Sequence, residues 1–301
     1  MERLMAINWK LRSRSILAAL FILSAFAVAM AQEPRSAAVE LGSHTAKNGF
    51  MNEDEIRDKF NNWKLDEDAR AWLAAMNYDI ARIESVTAVK PHGEKADVVV
   101  RIRIAKRSDP EYGDIPQSRK DAEGKQNGIV EKAEGISIKL VSGPNGFNQV
   151  DKRWLRQYAK MWNMPADVVA ALRLFTGEEK PTGPSRRPER MFLTELDKAA
   201  QSSVVEFFTA NKEKIVSDIL AGDGPNRAKW LMVALRSGNN TRWTVRPIEE
   251  AIRFYSKGPV ELTRAGSLKI GRVTMQRKGG DGGRETANQL QFKINPALLF
   301  V

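Results

Sequence analysis

Residues 135–165 read GISIKLVSGPNGFNQVDKRWLRQYAKMWNMP. Ile136, Ile138 and Leu140 alternate with Ser137, Lys139 and Val141, the two-residue period of a strand. The aliphatic set is expected to face a core, which leaves Ser137 and Lys139 on the other face of the sheet. The run Ser142-Gly143-Pro144-Asn145-Gly146 breaks the strand. Beyond it, Val150, Trp154, Leu155, Tyr158 and Trp162 fall near helical spacing, predicting a helix from about Asn148 to Trp162. Asn163 and Pro165 are its stop signals. An exposed lysine on a strand is common, so Lys139 by itself says little.

Working outward, residues 95–104, KADVVVRIRI, predict a second strand. Val98, Val100, Ile102 and Ile104 form its apolar face, with Asp97, Val99, Arg101 and Arg103 opposite. If the two strands pair, Asp97 and Lys139 meet near one strand end on the non-core face. An acid at the head of one strand and an x-x-Lys tripeptide on the next is the layout of the PD-(D/E)XK nuclease core. The chemistry has a physical reason. A carboxylate holds Mg²⁺, which polarises a phosphate and acidifies an attacking water. A nearby lysine places that water and offsets charge developing on the phosphate. The second acidic position of the pattern is Ser137 here, and a serine cannot supply the missing charge. Glu53 or Glu55 on an earlier helix, Glu134 before the strand, and Gln149 after it are the residues able to contribute instead.

The likeness extends past the motif. The segments GFMNEDEIRDKFNNW, HGEKADVVVRI, ISIKLVSGPNGFNQVDKRWLRQYAKMWNMP, RMFLTELD and LKIGRVTMQRKGGDGGRETANQLQFKINP occur in that order, rich in Asn, Gln and Trp. Together they resemble a type II restriction endonuclease of the PD-(D/E)XK superfamily, from about Lys47 to the carboxyl terminus. The resemblance implies an α/β fold with a mixed central sheet flanked by helices. It also implies Mg²⁺ as cofactor and double-stranded DNA as partner. By the same resemblance Asp97 is the metal ligand, Glu53 the helix-borne acid that shares it, Lys139 the catalytic lysine, and Gln149 a polar group near the metal or water.

Composition narrows the alternatives. The chain has 301 residues, 42% of them hydrophobic, ample for one large core or a core with a smaller recognition region. There is no cysteine, which excludes disulfides, thiolate zinc sites and cysteine nucleophiles. Only His44 and His92 are present, so a histidine-rich metal site or a Ser-His-Asp triad is disfavoured. A net charge of +11 favours polyanionic partners, nucleic acid or an acidic membrane surface.

The amino terminus fits the rest poorly. Lys10, Arg12 and Arg14 precede an apolar run from Ile16 to Met30, and Ala29-Met30-Ala31 resembles a cleavage site. This reads as a secretory leader over 1–31, too short to span a membrane, so the mature form is expected to have no membrane partner. A true start at Met30 or Met51 would place the protein in the cytoplasm. A used leader would make it periplasmic or secreted.

In chain order, Asn52 is expected to cap a helix running to about Trp63, with Glu53, Asp54 and Glu55 in its first turn, where carboxylates suit the helix dipole. Asp66 opens another helix, and 83–90 is a strand. Residues 106–132 are polar and nearly free of aliphatics, predicting a long hairpin loop. Helices are expected over 166–175, 191–196 and 202–220, the last with a packing stripe at Val204, Val205, Phe208, Ile215 and Ile219. Strands follow at 230–235, 242–245, 268–276 and 290–294, with a helix at 248–255. The domain reading is a catalytic core at 47–176, a Pro- and Gly-rich linker at 177–190, and an α+β DNA-recognition region at 191–301.

From Arg227 to Lys293 there are fourteen basic residues against five acidic ones, a concentrated phosphate footprint. Within it, Gln276, Arg277, Lys278, Arg284, Asn288, Gln291 and Lys293 are the recognition candidates, joined by Lys152 and Arg153. Arg, Lys, Asn and Gln read guanine and adenine edges by paired hydrogen bonds. The bland reading of 276–293 is a solvated hairpin. The functional expectation is a Mg²⁺-dependent, site-specific endonuclease. A homodimer would suit a palindromic site, though no residue demands one. The alternatives are a non-catalytic basic DNA-binding protein, in which Ser137 marks a lost site, and an exported non-specific nuclease.

Overall fold

In a computed structural model, residues 52–105, 129–238, 240–280 and 283–300 are described. Residues 1–31 and the tip of the predicted hairpin at 106–128 lie outside them. Nearly all described residues fall in one compact unit, 49–279 and 285–301.

The unit is built on two five-stranded sheets. In the first, β1 (Ile83–Val89), β2 (Val98–Ala105), β3 (Ile129–Val141), β5 (Trp230–Ser237) and β6 (Asn240–Pro247) lie in the order β1-β2-β3-β5-β6. All pairs are antiparallel except β3 with β5, so the sheet is mixed. A parallel neighbour requires a crossover. That crossover carries β4 (Asn148–Arg153) and helices α3 (Leu155–Trp162), α4 (Ala166–Thr176), α5 (Lys198–Ala210) and α6 (Lys212–Ala221). The second sheet is antiparallel, in the order β4-β10-β9-β8-β7, with β7 (Val260–Leu262), β8 (Leu268–Ile270), β9 (Val273–Arg277) and β10 (Leu290–Ile294). Each sheet therefore draws strands from both sides of residues 177–190.

Helices cover the first sheet on both faces. Helix α1, over 52–61, and α2 (Glu67–Ala75) pack Phe60, Trp72 and Leu73 against Ile136, Ile138 and Met232. The opposite face, with Val141, Leu231 and Val233, meets the larger core of α3–α6, α7 (Ile248–Ser256) and the second sheet. Double burial explains the unbroken aliphatic run Leu231–Leu235 in β5. Ser137 is accordingly buried on its own side.

Several expectations change. Asn148 to Arg153 is a strand, not the first turns of a helix, because its backbone pairs with β10 from Arg153↔Leu290 to Asn148↔Ile294. Long-range pairing overrides the helical spacing there, and the helix starts only at Leu155. The expected helix over 202–220 is two helices that meet at Asn211. Residues 191–196 hold a single 3₁₀ turn, Leu193–Glu195. The strand at 268–276 is broken by Gly271, whose φ of +59° makes the turn between β8 and β9. Asn52 is already helical and does not cap; its buried amide has no hydrogen-bond partner.

Candidate active site

The pairing of β2 with β3 sets the site. Val98 lies opposite Ile136, and the Asp97 amide donates to the Ile136 carbonyl at 2.9 Å. Asp97 thus sits where β2 begins, beside the middle of β3. Its Oδ2 accepts from the Ile138 amide at 2.6 Å and from the Ser137 hydroxyl at 3.3 Å. Lys139 Nζ lies 3.5 Å from the same oxygen and donates to the Ile138 carbonyl at 2.8 Å. The sequence expectation that Asp97 and Lys139 meet is met in the geometry.

Both residues line a polar cleft of about 370 Å³, together with Lys95, Ser137, Gln149 and Asp151. Gln149 enters it from β4, not from a helix. Glu53 comes from α1, which is fastened to the sheet by Asn61. The Asn61 amide exchanges two hydrogen bonds with the backbone of Ala88 on the edge strand β1. Glu53 pairs with Lys90 at 3.1 Å. Burial pushes its carboxyl up, and the charge of Asp97 pushes the same way against Lys90 and Lys139. Glu53 thus feels the charge of Asp97 but pairs with Lys90 and is not among the residues lining the cleft.

Two other acids are placed elsewhere. Glu55 points to Arg236 at 3.6 Å on the exposed side of α1. Glu134 is buried away from Asp97, accepting from the Tyr78 hydroxyl and, at 3.0 Å, from Trp230 Nε1. Its position on β3 has the parity of Ile136, on the opposite face from Lys139, so it cannot replace the missing second acid. Among the described residues no three acidic or histidine side chains gather as a ready-made metal cage.

The cleft also holds groups that strand and helix patterns did not flag. Lys95, two residues before Asp97, donates to the Val150 carbonyl and pairs with Asp151 at 3.1 Å. Asp151 also accepts from Arg153 Nε at 2.9 Å and from the Tyr158 hydroxyl. Burial pushes the Asp151 carboxyl up, but Lys95, Arg153 and Tyr158 outweigh it and hold it below the usual aspartate range. This network clamps β4 to the start of β2 and so places Gln149. The one available signal was an acid in the middle of a segment that otherwise reads as amphipathic.

Comparison with known proteins bears on the same residues. The R.HinP1I restriction endonuclease family matches residues 126–300, more than half of the chain. The chain belongs to that family. It is a type II restriction endonuclease, a site-specific deoxyribonuclease. A search of curated proteins finds no match. Among solved structures, a crystal structure of the restriction endonuclease MspI in complex with its cognate DNA is similar in fold. It covers 80% of this chain and 87% of that chain, with a TM-score of 0.53 and 11% sequence identity. The family match spans Lys139 and Gln149 but begins after Glu53 and Asp97, so those two rest on geometry.

The expected recognition residues of the enzyme fall into different settings. Lys152, Gln291 and Gln276 form one row across β4, β10 and β9. Lys152 is exposed and lines the cleft with Arg153, whereas Gln291 is buried. Lys293 is half-buried opposite Thr274. Arg277 donates to the Thr176 carbonyl at 2.8 Å and to Asn288 Oδ1 at 2.6 Å, and the Asn288 amide donates to the Gly177 carbonyl. These bonds tie the second sheet to the end of α4. Lys278 is half-buried, its backbone bonded to Gln289 and Gln291. Arg284 lies outside the compact unit.

Proposed function

We propose that this enzyme hydrolyses phosphodiester bonds of double-stranded DNA in a Mg²⁺-dependent reaction at the Asp97–Lys139 cleft, as a nuclease of PD-(D/E)XK type. The observation that carries the reading is the Lys139 ammonium 3.5 Å from Asp97 Oδ2, on paired strand ends in an open polar cleft. Asp97 and Glu53 are the residues that would hold the ion. Two carboxylates suffice, because Mg²⁺ retains several waters and takes substrate phosphate oxygens as further ligands. When bound, the ion polarises the phosphate and neutralises charge developing on it.

The protein's own groups do the rest. Lys139 orients the attacking water and donates to the phosphate as charge accumulates. Gln149 offers an amide to the same water or phosphate. Ser137 and the Ile138 amide fix the Asp97 carboxylate so that its free lone pairs face the cleft. The water oxygen bonds to phosphorus and gives up a proton to solvent as the bridging P–O bond breaks in line, and the leaving oxygen takes up a proton from solvent. Lys152, Arg153, Gln276 and Lys293 are proposed to contact the duplex. That MspI was crystallised with its cognate DNA supports a duplex partner here. The homodimer and a duplex-recognition role for residues 191–301, which share both sheets with the amino-terminal strands, are part of the same proposal. Expression without residues 1–31 is proposed to leave activity intact, whether the protein is cytoplasmic or loses a used leader on export.

The test is a digest of unmethylated phage DNA by residues 32–301 with Mg²⁺, beside Lys139→Ala and a chelator control. Discrete bands from the parent alone are expected, with Lys139→Ala still shifting DNA on a native gel. Cleavage by Lys139→Ala at the parent's rate would overturn the reading.

A further inference from the structure

The segment expected to be a linker, 177–190, is folded. Gly177, at φ +83°, turns the chain at the end of α4, and a Cβ there would lie 2.7 Å from the Glu189 carbonyl. The Met191 amide then returns to the Leu174 carbonyl at 2.9 Å. This fold-back presents arginines in a built arrangement. The guanidinium groups of Arg186 and Arg190 lie over the Phe192 ring, 3.8 and 4.0 Å from its centroid. Arg190 also lies 5.6 Å from the Phe175 ring. Arg277 reaches the same place from β9 through the Thr176 carbonyl.

The cluster carries more positive charge than its surroundings cancel. Glu195 pairs with Arg186 at 2.7 Å, and Glu189 is the other acid acting on Arg190. Burial lowers the Arg190 pKa, and the like charges of Arg277, Arg187 and Arg186 lower it further. Arg186 and Arg187 are exposed. Self-repulsion of this kind costs stability unless an anion offsets it.

Its position says which anion. Leu290 pairs with Arg153 on one side and with Arg277 on the other. Arg153 lines the cleft that holds Asp97. Two inter-strand spacings separate the Arg153 and Arg277 backbones by about 10 Å. That is about three phosphates of axial rise along one DNA strand. Arg186 lies farther still from β4, its guanidinium beside Gly266 in the turn between β7 and β8.

We propose that Arg186 and Arg187, held on the Arg190–Phe192–Arg277 platform, bind backbone phosphates of the duplex about three or more base pairs outside the cut site. The guanidinium fork matches phosphate oxygens, and such contacts position the duplex without reading its sequence. The inference rests on the reading that the duplex lies in the Asp97–Lys139 cleft.

The experiment measures binding against salt in the Lys139→Ala background, with the target site in a long-flanked duplex and in one whose ends lie two base pairs beyond the cut phosphates. Each lost phosphate contact lowers the slope of log K against log salt by about 0.9. Arg186→Ala/Arg187→Ala is expected to lower the slope by about two contacts on the long duplex and leave the trimmed one unchanged. Arg187→Ala alone, which removes no internal bond, is expected to lower it by about one. An unchanged slope on the long duplex, from variants with parental circular dichroism, overturns the inference. Failure of the cleft reading shows separately, as cleavage that survives Lys139→Ala.

Discussion

Asp151→Asn should destabilise the enzyme out of proportion to its size. The side chains of Asp151 and Lys95 are 7% and 14% exposed and lie 3.1 Å apart. At an effective dielectric of about 20, attraction across that distance is about 5 kcal/mol before desolvation is counted. Removing one member leaves Lys95 buried without its counter-charge, a change that costs about 3–5 kcal/mol. An exposed pair would cost about 0–1 kcal/mol. The total stability of a domain is only about 5–15 kcal/mol, so the loss is large. Denaturant unfolding at pH 7 reads it directly, and Lys95→Met should show a smaller loss, because Asp151 keeps Arg153 and Tyr158 as partners and the Lys95 ammonium, disfavoured by burial, is gone. The double variant should lose less than the sum, since neither partner is then left alone. The sign with pH follows from the depressed carboxyl. Asp151 has a lower pKa folded than unfolded, so its stabilisation is full above the ordinary aspartate range. It fades as pH falls through the folded value. The gap between parent and Asp151→Asn should therefore close in acid. A loss under about 1 kcal/mol at pH 7, or additive single losses, would refute the claim that this pair clamps β4 to the cleft.

Other outcomes follow from single contacts. Tyr78→Phe removes a donor to buried Glu134 and should cost about 1.5–3 kcal/mol in denaturant unfolding. It should leave cleavage at the parent's rate, since Glu134 faces away from Lys139. Gly135→Ala sets a Cβ 2.2 Å from the Arg227 carbonyl, and the shift needed at the start of β5 should cost about 1–3 kcal/mol, read as a lower Tm. Glu53→Gln should abolish cleavage while keeping or raising Tm at pH 7. Burial raises the Glu53 pKa, so the folded state binds its proton more tightly and the ionised form opposes folding above that pKa. A marked fall in Tm for Glu53→Gln would contradict that sign.

Local pattern carried much of this protein. The strands around Asp97 and Lys139 alternate except at Val99 and Val141, so their pairing and the meeting of the two side chains were legible. So were β5, β6, β10, α7 and the Asp66 cap of α2, whose carboxylate accepts from the Ala69 amide at 2.9 Å. The segment 148–153 was misread because helical spacing is a local signal, whereas the partner that makes it a strand lies at 290–294, far along the chain. Residue type singles out the recognition candidates, and type does not report burial. Gln291 is enclosed, and Arg277 and Asn288 bond to the end of α4.

What the sequence determined by itself is the chemistry available: carboxylates, lysine and a basic surface, no thiol, two histidines, and the alternation that builds a mixed sheet. Tertiary structure decided which of those groups share a cleft. Only pairing with β2 carries β3 back through Glu134, which sets that acid on the face opposite Lys139. Only the β4–β10 pairing brings Gln149 and the Lys95–Asp151 clamp to Asp97. Only the fold-back after α4 gathers Arg186, Arg187 and Arg190 beside Arg277. The reason is that hydrophobic periodicity fixes the face a residue takes within its own element, while proximity between elements depends on contacts distant in sequence, whose energies no local window contains.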